Sequence, residues 1–179
     1  MSKEGFDNEK EMLNYVYKNY ADYTIKSKLI EHKPQITQQG YFSIGYEGKD
    51  IDEFLNILIQ NNITTLVDVR KNAFSMNFCF IKNKLSKFLE DAGINYVHFP
   101  ELGIESEDRK NLKTRKDYDN LFAEYTKNLC SKQDKLKELI ELGKKEKIAF
   151  MCFEADHSYC HRGQIANYLE KQNLGVAHL

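Results

Sequence analysis

Residues 41–69 alternate between strand and helix patterns, and this alternation restricts the folds that the chain can adopt. A short apolar strand pattern at 41–45 and a β-branched pattern at 63–69 lie on either side of a helix pattern. Asp50 and Glu53 have the spacing of a capping box at the start of that helix. A strand, a helix and a second strand within about thirty residues are typical of a βαβ unit, whose strands are parallel. The sequence therefore predicts an α/β fold.

The alternation continues along the rest of the chain. Apolar residues at three- and four-residue steps predict further helices at 81–92, 115–130 and 133–142. Short apolar runs predict further strands at 94–99, 148–153 and 176–179. Gly93 and Gly143 follow helical patterns and are predicted to end them. We expect a single, mostly parallel sheet of about five strands, with helices on both faces.

Residues 1–40 are predicted to form an N-terminal helical extension, separate from an α/β domain of residues 41–179. A helix is expected at 7–32, because Met12, Tyr15 and Tyr23 belong to a series at three- and four-residue steps. A polar linker is expected at 33–40. The tyrosine-rich face of the helix can cover the main domain or pair two subunits, so a homodimer through this helix is one expectation.

Composition limits the class of protein. Hydrophobic residues make up 41% and charged residues 30%, as in a soluble globular protein. Lys and Arg (26) balance Asp and Glu (27), so the overall charge does not favour nucleic acid. No apolar run approaches the roughly 20 residues of a membrane span, and the N-terminus lacks the apolar core of a signal peptide. Because the four cysteines lack disulfide-scaffold spacing, we expect a cytoplasmic protein with no membrane partner.

Residues 152–162 concentrate reactive side chains between a buried strand and a helix that begins near Cys160. The loop carries Cys152, Glu154, Asp156, His157, Cys160, His161 and Arg162. Open α/β proteins place their ligand sites between strand ends and helix N-termini. Since parallel strands end at the same edge of a sheet, Asp68 and Arg70 are expected near this loop. Their side chains point to one face of a strand, where they can form a structural ion pair or reach the site together.

The two cysteines of the loop allow different interpretations. At a helix N-terminus beside Arg162, Cys160 is expected to favour the thiolate and act as a nucleophile, or else to be an inert, half-buried thiol. Cys152, at the end of a strand, can equally be a nucleophile or an inert core thiol. A cysteine phosphatase loop would need a closing arginine, but the sixth residues after the two cysteines are Ser158 and Ala166. This spacing argues against a cysteine phosphatase.

A metal site is the rival interpretation of the same loop. Its residues include the types that bind zinc or iron, namely Cys152, Glu154, His157, Cys160 and His161. The spacing is Cys-x7-Cys-His, which differs from the tight Cys-x2–4-Cys pattern of structural zinc. The sequence therefore predicts no cofactor and no metal ligand, with zinc or iron as the alternative.

Several motifs carry a resemblance to a known family. They are Phe42–Gly48, Leu66–Arg70 followed by Ser75, Gly93–His98, Glu101–Gly103, and Cys152-x-Glu154 followed by Cys160–Arg162. In them the chain resembles the domain-of-unknown-function 488 family over residues 41–179. The resemblance implies an α/β domain with a polar edge and implies no established reaction. This chain has Phe74 and Ile104 where the family typically has a proline and a second glycine. The Asp-Val-Arg strand is also similar to that of rhodanese-like sulfurtransferases, as a distant analogy.

These observations favour an enzyme that acts on an anionic small molecule or a nucleotide-like group, such as a hydrolase or a thiol-dependent transferase. The catalytic candidates are Cys160, His161, Glu154, Cys152 and Asp68. The substrate-binding candidates are Arg70, Arg162, Tyr46 and Ser75. One alternative is a non-catalytic module that binds nucleic acid or nucleotides. The other is a metal-dependent protein that uses Cys152, Cys160 and His161.

Overall fold

One parallel sheet forms the centre of the molecule. The structure is a computed structural model that describes residues 5–6, 8–20, 39–110 and 112–179. The strands are β1 (Gly40–Gly45), β2 (Thr65–Asp68), β3 (Asn95–His98), β4 (Lys147–Cys152) and β5 (Val176–His178). They lie in the order β3-β2-β4-β1-β5, and every neighbouring pair is parallel. The predicted five-stranded parallel sheet is confirmed.

The described helices alternate with these strands, as predicted. They are α1 (Glu9–Asn19), α2 (Ile51–Gln60), α3 (Lys82–Asp91), α4 (Arg115–Leu129), α5 (Gln133–Lys145) and α6 (His161–Glu170). The Asp50 carboxylate accepts a hydrogen bond from the Glu53 amide at 2.8 Å, which caps α2 as the sequence predicts. Gly93, just after α3, has a φ of 72°, the left-handed conformation that glycine adopts at helix ends. Over the described residues, no helix has the length and apolar character needed to cross a membrane.

The central strand β4 separates two hydrophobic cores. Its side chains alternate between the faces of the sheet, so Phe150 and Cys152 pack towards α4, α5 and α6. Ala149 and Met151 pack towards α2 and α3 on the other face. Five of the six residues of β4 are buried, as expected for a parallel strand that is covered on both sides. The C-terminal end of β4 therefore lies at the middle of the sheet edge that was predicted to carry the site.

The N-terminal helix is shorter than predicted. α1 ends at Asn19, and Tyr20 has left the helical conformation with a φ of −137°. The Asn19 side chain donates a hydrogen bond to the Tyr15 carbonyl at 2.8 Å, within the last turn of the helix. No residue of α1 is buried. The remainder of the predicted helix and most of the predicted linker lie outside the described residues.

Gly143 does not end its helix, so that part of the sequence prediction was wrong. α5 continues to Lys145. A Cβ atom at Gly143 would lie only 2.1 Å from the ring of Tyr41 in β1. The Tyr41 hydroxyl donates a hydrogen bond to the Ile140 carbonyl at 2.8 Å, which fixes the ring against α5. Glycine is thus needed at this position for close packing of helix on strand and not for helix termination.

Candidate functional site

The predicted site residues lie at one edge of the sheet but divide into two groups. Asp68 is the last residue of β2, and Arg70, two residues later, pairs with it. Arg70 also contacts Tyr46, which belongs to the core on the α2 and α3 side. Cys152 and Cys160 belong to the core on the α4, α5 and α6 side. The alternation of side chains along a strand places the two groups on opposite faces of the sheet.

Asp68 and Arg70 form a buried ion pair with two hydrogen bonds. Arg70 donates from Nε to Asp68 Oδ1 at 2.8 Å and from Nη2 to Oδ2 at 2.6 Å. Tyr96 donates its hydroxyl to Asp68 Oδ2 at 2.7 Å, and Arg70 Nη1 donates to the Tyr46 hydroxyl at 3.0 Å. Burial alone would lower the pKa of Arg70, but the hydrogen bonds and the charge of Asp68 raise it above its ordinary value. The side chain of Arg70 is therefore a permanently charged group held in one orientation.

Three buried ligand-type atoms meet on the other face. His161 Nδ1 lies 3.6 Å from Cys152 Sγ and 3.9 Å from Cys160 Sγ. The three ligand atoms, one from each residue, lie within 4.8 Å of one another. His161 Nε2 lies 3.0 Å from the Val69 carbonyl oxygen, which can only accept a hydrogen bond. Nε2 therefore carries a proton, and in the neutral ring the Nδ1 lone pair faces the two sulfur atoms.

The two buried thiols differ in acidity. Burial raises the pKa of Cys160, and its hydrogen bond with Cys152 and the charge of an ionised Cys152 raise it further. Burial alone would also raise the pKa of Cys152, but the hydrogen bond from Cys160 and the positive charge of Arg109 lower it. At Cys160, which is almost fully buried, burial therefore has a larger effect than the helix N-terminus that was expected to favour the thiolate.

Glu154 connects this cluster to a cation that sequence reasoning missed. Its Oε2 atom lies 3.3 Å from Cys152 Sγ, and Oε1 forms an ion pair with Arg109. Arg109 belongs to the charged stretch 101–110, which has no periodicity that would indicate where it packs. The one signal available from the sequence was its position after β3, at the edge of the sheet where the other polar residues were expected.

Arg162 holds the loop that follows β4. Its guanidinium donates to the carbonyl oxygens of Glu154 and Ala155, the latter at 2.7 Å. The Glu47 carboxylate accepts from the Ala155 amide at 2.9 Å, which ties the same loop to the end of β1. Arg162 is buried and was predicted to bind substrate. Its hydrogen bonds within the described residues go to loop carbonyls, and it does not line the pocket described next.

A pocket of about 930 Å³ opens over the ends of the strands and touches both groups. Arg70, Tyr46 and Ser75, three of the predicted substrate-binding residues, line it, and so does His161. Its charged lining consists of the cations Lys49, Arg70, Lys71 and Arg109 and one carboxylate, Glu47. Two exposed aromatic side chains lie at its mouth, Phe74 at 66% exposure and Phe153 at 42%. Asp68, Cys152, Glu154 and Cys160 lie behind this lining.

Comparisons with known proteins agree with the resemblance seen in the motifs. A family model described as domain of unknown function DUF488 matches residues 50–169, from the N-cap of α2 to the last turn of α6. The matched region includes the ion pair of β2, the loop after β4 and the whole Cys–His cluster. Comparison with curated proteins gave no match, and neither did comparison with solved structures. Since the family model covers well over half of the chain, the protein belongs to the DUF488 family.

Proposed function

We propose that this protein is an enzyme that acts on an anionic, nucleotide-like substrate bound in the pocket at the C-terminal edge of the sheet. The observation that carries the proposal is the charge of the lining, four cations with one carboxylate. Clefts lined by one sign of charge concentrate ligands of the opposite sign. Arg70 is the central anion-binding residue, because Asp68 and Tyr46 hold it in place before any ligand arrives.

The hydrogen bonds of Arg70 leave donors for a ligand. Among the described residues, Nε, Nη1 and Nη2 each donate once, to Asp68 and Tyr46. A guanidinium has five N–H groups, so one on Nη1 and one on Nη2 remain. Two N–H groups of one guanidinium match the oxygens of a phosphate or carboxylate. Lys71 and Arg109, further along the lining, form ion pairs with Glu105 and Glu154, and each has further N–H groups that can contact an anionic substrate.

The aromatic residues at the mouth favour a nucleotide over a small inorganic anion. Phe74 and Phe153 expose large apolar surfaces to solvent beside the cationic lining. Nucleobases stack on such rings, whereas inorganic phosphate gains nothing from them. An enzyme is favoured over a simple binding module because His161, which lines the pocket, contacts two thiols. One of these thiols, Cys152, also contacts the Glu154 carboxylate. Such clusters of titratable groups at a pocket are typical of reactive sites.

Arg109→Gln is expected to weaken binding of a nucleoside triphosphate by about 10- to 100-fold, because a hydrogen bond to a charged group contributes about 1.5–3 kcal/mol. Calorimetric titration with ATP and GTP measures this change. Arg115→Gln is the matched control, since Arg115 is an exposed arginine on α4 that pairs with Asp119 outside the pocket. Equal affinities for the two variants, or no nucleotide binding by the unmodified protein, would refute the proposal. Salt-dependent binding of oligonucleotides without any turnover would instead favour the non-catalytic module.

Phe74→Ala is expected to weaken nucleotide binding about 5- to 100-fold, the range for loss of one base-stacking ring, and to leave pyrophosphate binding unchanged. Phe78→Ala is the matched control, because Phe78 is equally exposed but does not line the pocket. The same titrations, repeated with pyrophosphate, separate the stacking contribution from the charge contribution. Loss of pyrophosphate binding in Phe74→Ala would show that the loop has moved and would remove the support for stacking.

A further inference from the structure

The cluster behind the pocket has the composition of a metal site. Cys152 Sγ, Cys160 Sγ and His161 Nδ1 are three potential ligand atoms, all buried, within 4.8 Å of one another. Thiolate and imidazole are the ligands that zinc prefers in proteins. Cys79 and Cys130 lie outside this cluster, so these two thiols serve as internal references for any test.

The distances between these atoms match tetrahedral coordination. With zinc–sulfur bonds of about 2.3 Å and zinc–nitrogen bonds of about 2.0–2.1 Å, a tetrahedral ion holds sulfur and nitrogen ligands about 3.6 Å apart. The two observed separations between sulfur and His161 Nδ1 are 3.6 Å and 3.9 Å. One ion can therefore contact both sulfurs and the nitrogen with only small movements of the side chains.

His161 is already in the tautomer that metal binding requires. Its Nε2–H group donates to the Val69 carbonyl at 3.0 Å, so the Nδ1 lone pair is available. Histidine ligands of metal ions usually donate their other N–H group to a carbonyl or carboxylate in this way, which fixes the ring and makes the ligand more basic. The carbonyl belongs to the backbone just after β2, so the sheet itself orients the ring.

The three atoms leave one position of a tetrahedral ion open, and two thiolates balance the charge of a divalent ion. Glu154 Oε2 lies 3.3 Å from Cys152 Sγ, but its carboxylate does not belong to the set of ligand atoms that lie within 4.8 Å of one another. Glu154 is therefore a neighbour of Cys152 outside the coordination shell. Its ion pair with Arg109 balances the charge of this carboxylate.

We propose that Cys152, Cys160 and His161 bind one soft divalent metal ion, such as zinc, and leave its fourth coordination position open. Each thiol releases its proton to solvent as its sulfur coordinates the ion. The loop between the two cysteines is fixed in advance, because Arg162 binds its carbonyls and leaves the sulfurs close together. This inference goes beyond the proposed function and does not depend on nucleotide binding.

Metal uptake by the reduced, untagged full chain tests the site. After removal of metal by a chelator, the protein is expected to bind one cobalt ion per chain with a thiolate-to-cobalt charge-transfer band and the visible bands of a tetrahedral ion. Loss of a hydrogen-bonding partner outside the coordination shell weakens metal binding roughly 10- to 100-fold. Cys160→Ser removes a ligand itself, so it is expected to weaken metal binding by more than this. Cys130→Ser, which changes an exposed thiol, is the control and should bind like the unmodified chain.

Two results would overturn the metal site. One is a folded, reduced protein that takes up neither cobalt nor zinc, and the other is a Cys160→Ser variant that binds them as tightly as the control. If Cys160→Ser does not fold, the melting temperature of the unmodified protein tests the site instead. This temperature must be higher with zinc present than with chelator present. An unchanged melting temperature would overturn the site. No nucleotide is present in these measurements, so their failure is distinct from failure of the proposed function.

Discussion

Asp68→Asn is expected to lower the free energy of unfolding by about 3–5 kcal/mol, the cost of leaving one member of a buried ion pair without its partner. Asp68 has no exposed surface and Arg70 is 5% exposed, so water cannot replace the lost charge. The substitution keeps the size of the side chain and some of its hydrogen bonds, so the change in the free energy of unfolding measures the contribution of the negative charge. Urea denaturation followed by circular dichroism measures it.

The control for Asp68→Asn is Asp119→Asn. Asp119 pairs with Arg115 on the surface, where both side chains are more than half exposed. Exposed pairs contribute about 0.2–1 kcal/mol, so the control should change stability little. Replacing both members of the buried pair, as in Asp68→Leu with Arg70→Met, is expected to recover much of the loss because no buried charge remains. Equal effects of Asp68→Asn and Asp119→Asn would contradict the buried character of the pair.

Gly45→Ala is expected to destabilise the fold by about 3 kcal/mol or more, at the upper end of the range for overpacking. A Cβ atom at Gly45 would lie 1.9 Å from the Glu154 carbonyl oxygen and 3.1 Å from the Ala155 Cα atom. These are backbone atoms of a loop that Arg162 already holds, so they cannot move aside as the tip of a side chain does. Thermal and urea unfolding of the variant give the magnitude.

Gly175→Ala is the matched control for Gly45→Ala. A Cβ atom at Gly175 would meet nothing within 4 Å, so this substitution should change stability by less than about 0.5 kcal/mol. Gly45→Ala should also reduce cobalt binding, because the displaced loop joins Cys152 to Cys160. A Gly45→Ala variant as stable as Gly175→Ala would show that the loop after β4 is free to move away from β1.

The fold could be predicted from the sequence where local signals and burial agree. The strand that ends at Cys152 is apolar from Ile148 onward. The cap at Asp50 and the glycine at position 93 mark helix ends by chemistry that acts within a few residues. Gly143 was misread because glycine also serves close packing, and the partner that requires it, Tyr41, is far away in the sequence. Local patterns do not contain such distant contacts.

The sequence predicted the sheet edge at which the site lies, but it did not predict which of the site side chains contact one another. Side chains two residues apart along a strand point to the same face of the sheet, so pairing of Asp68 with Arg70 was among the expected arrangements. The contact of Arg109 with Glu154 joins two loops, and no periodic pattern specifies the path of either. The Cys-x7-Cys-His spacing argued against a metal site because the usual rule assumes that one short turn brings the cysteines together. Here a strand end and a helix start place Cys152, Cys160 and His161 beside one another, an arrangement that this spacing does not predict.

The strand order also has a consequence for the way the chain folds. β1 is the first strand of the sheet, but both of its hydrogen-bonded neighbours, β4 and β5, come from the end of the chain. β2 can pair with β3 early, but it is joined to β1 only through β4, which lies between them and is made later. During synthesis from the N-terminus, β1 therefore emerges long before any partner, and its apolar residues remain without their sheet. Such long-range pairing slows folding and lengthens the time during which the chain can aggregate. The apolar residues of β1 are therefore protected from aggregation only after β4 and β5 have been made.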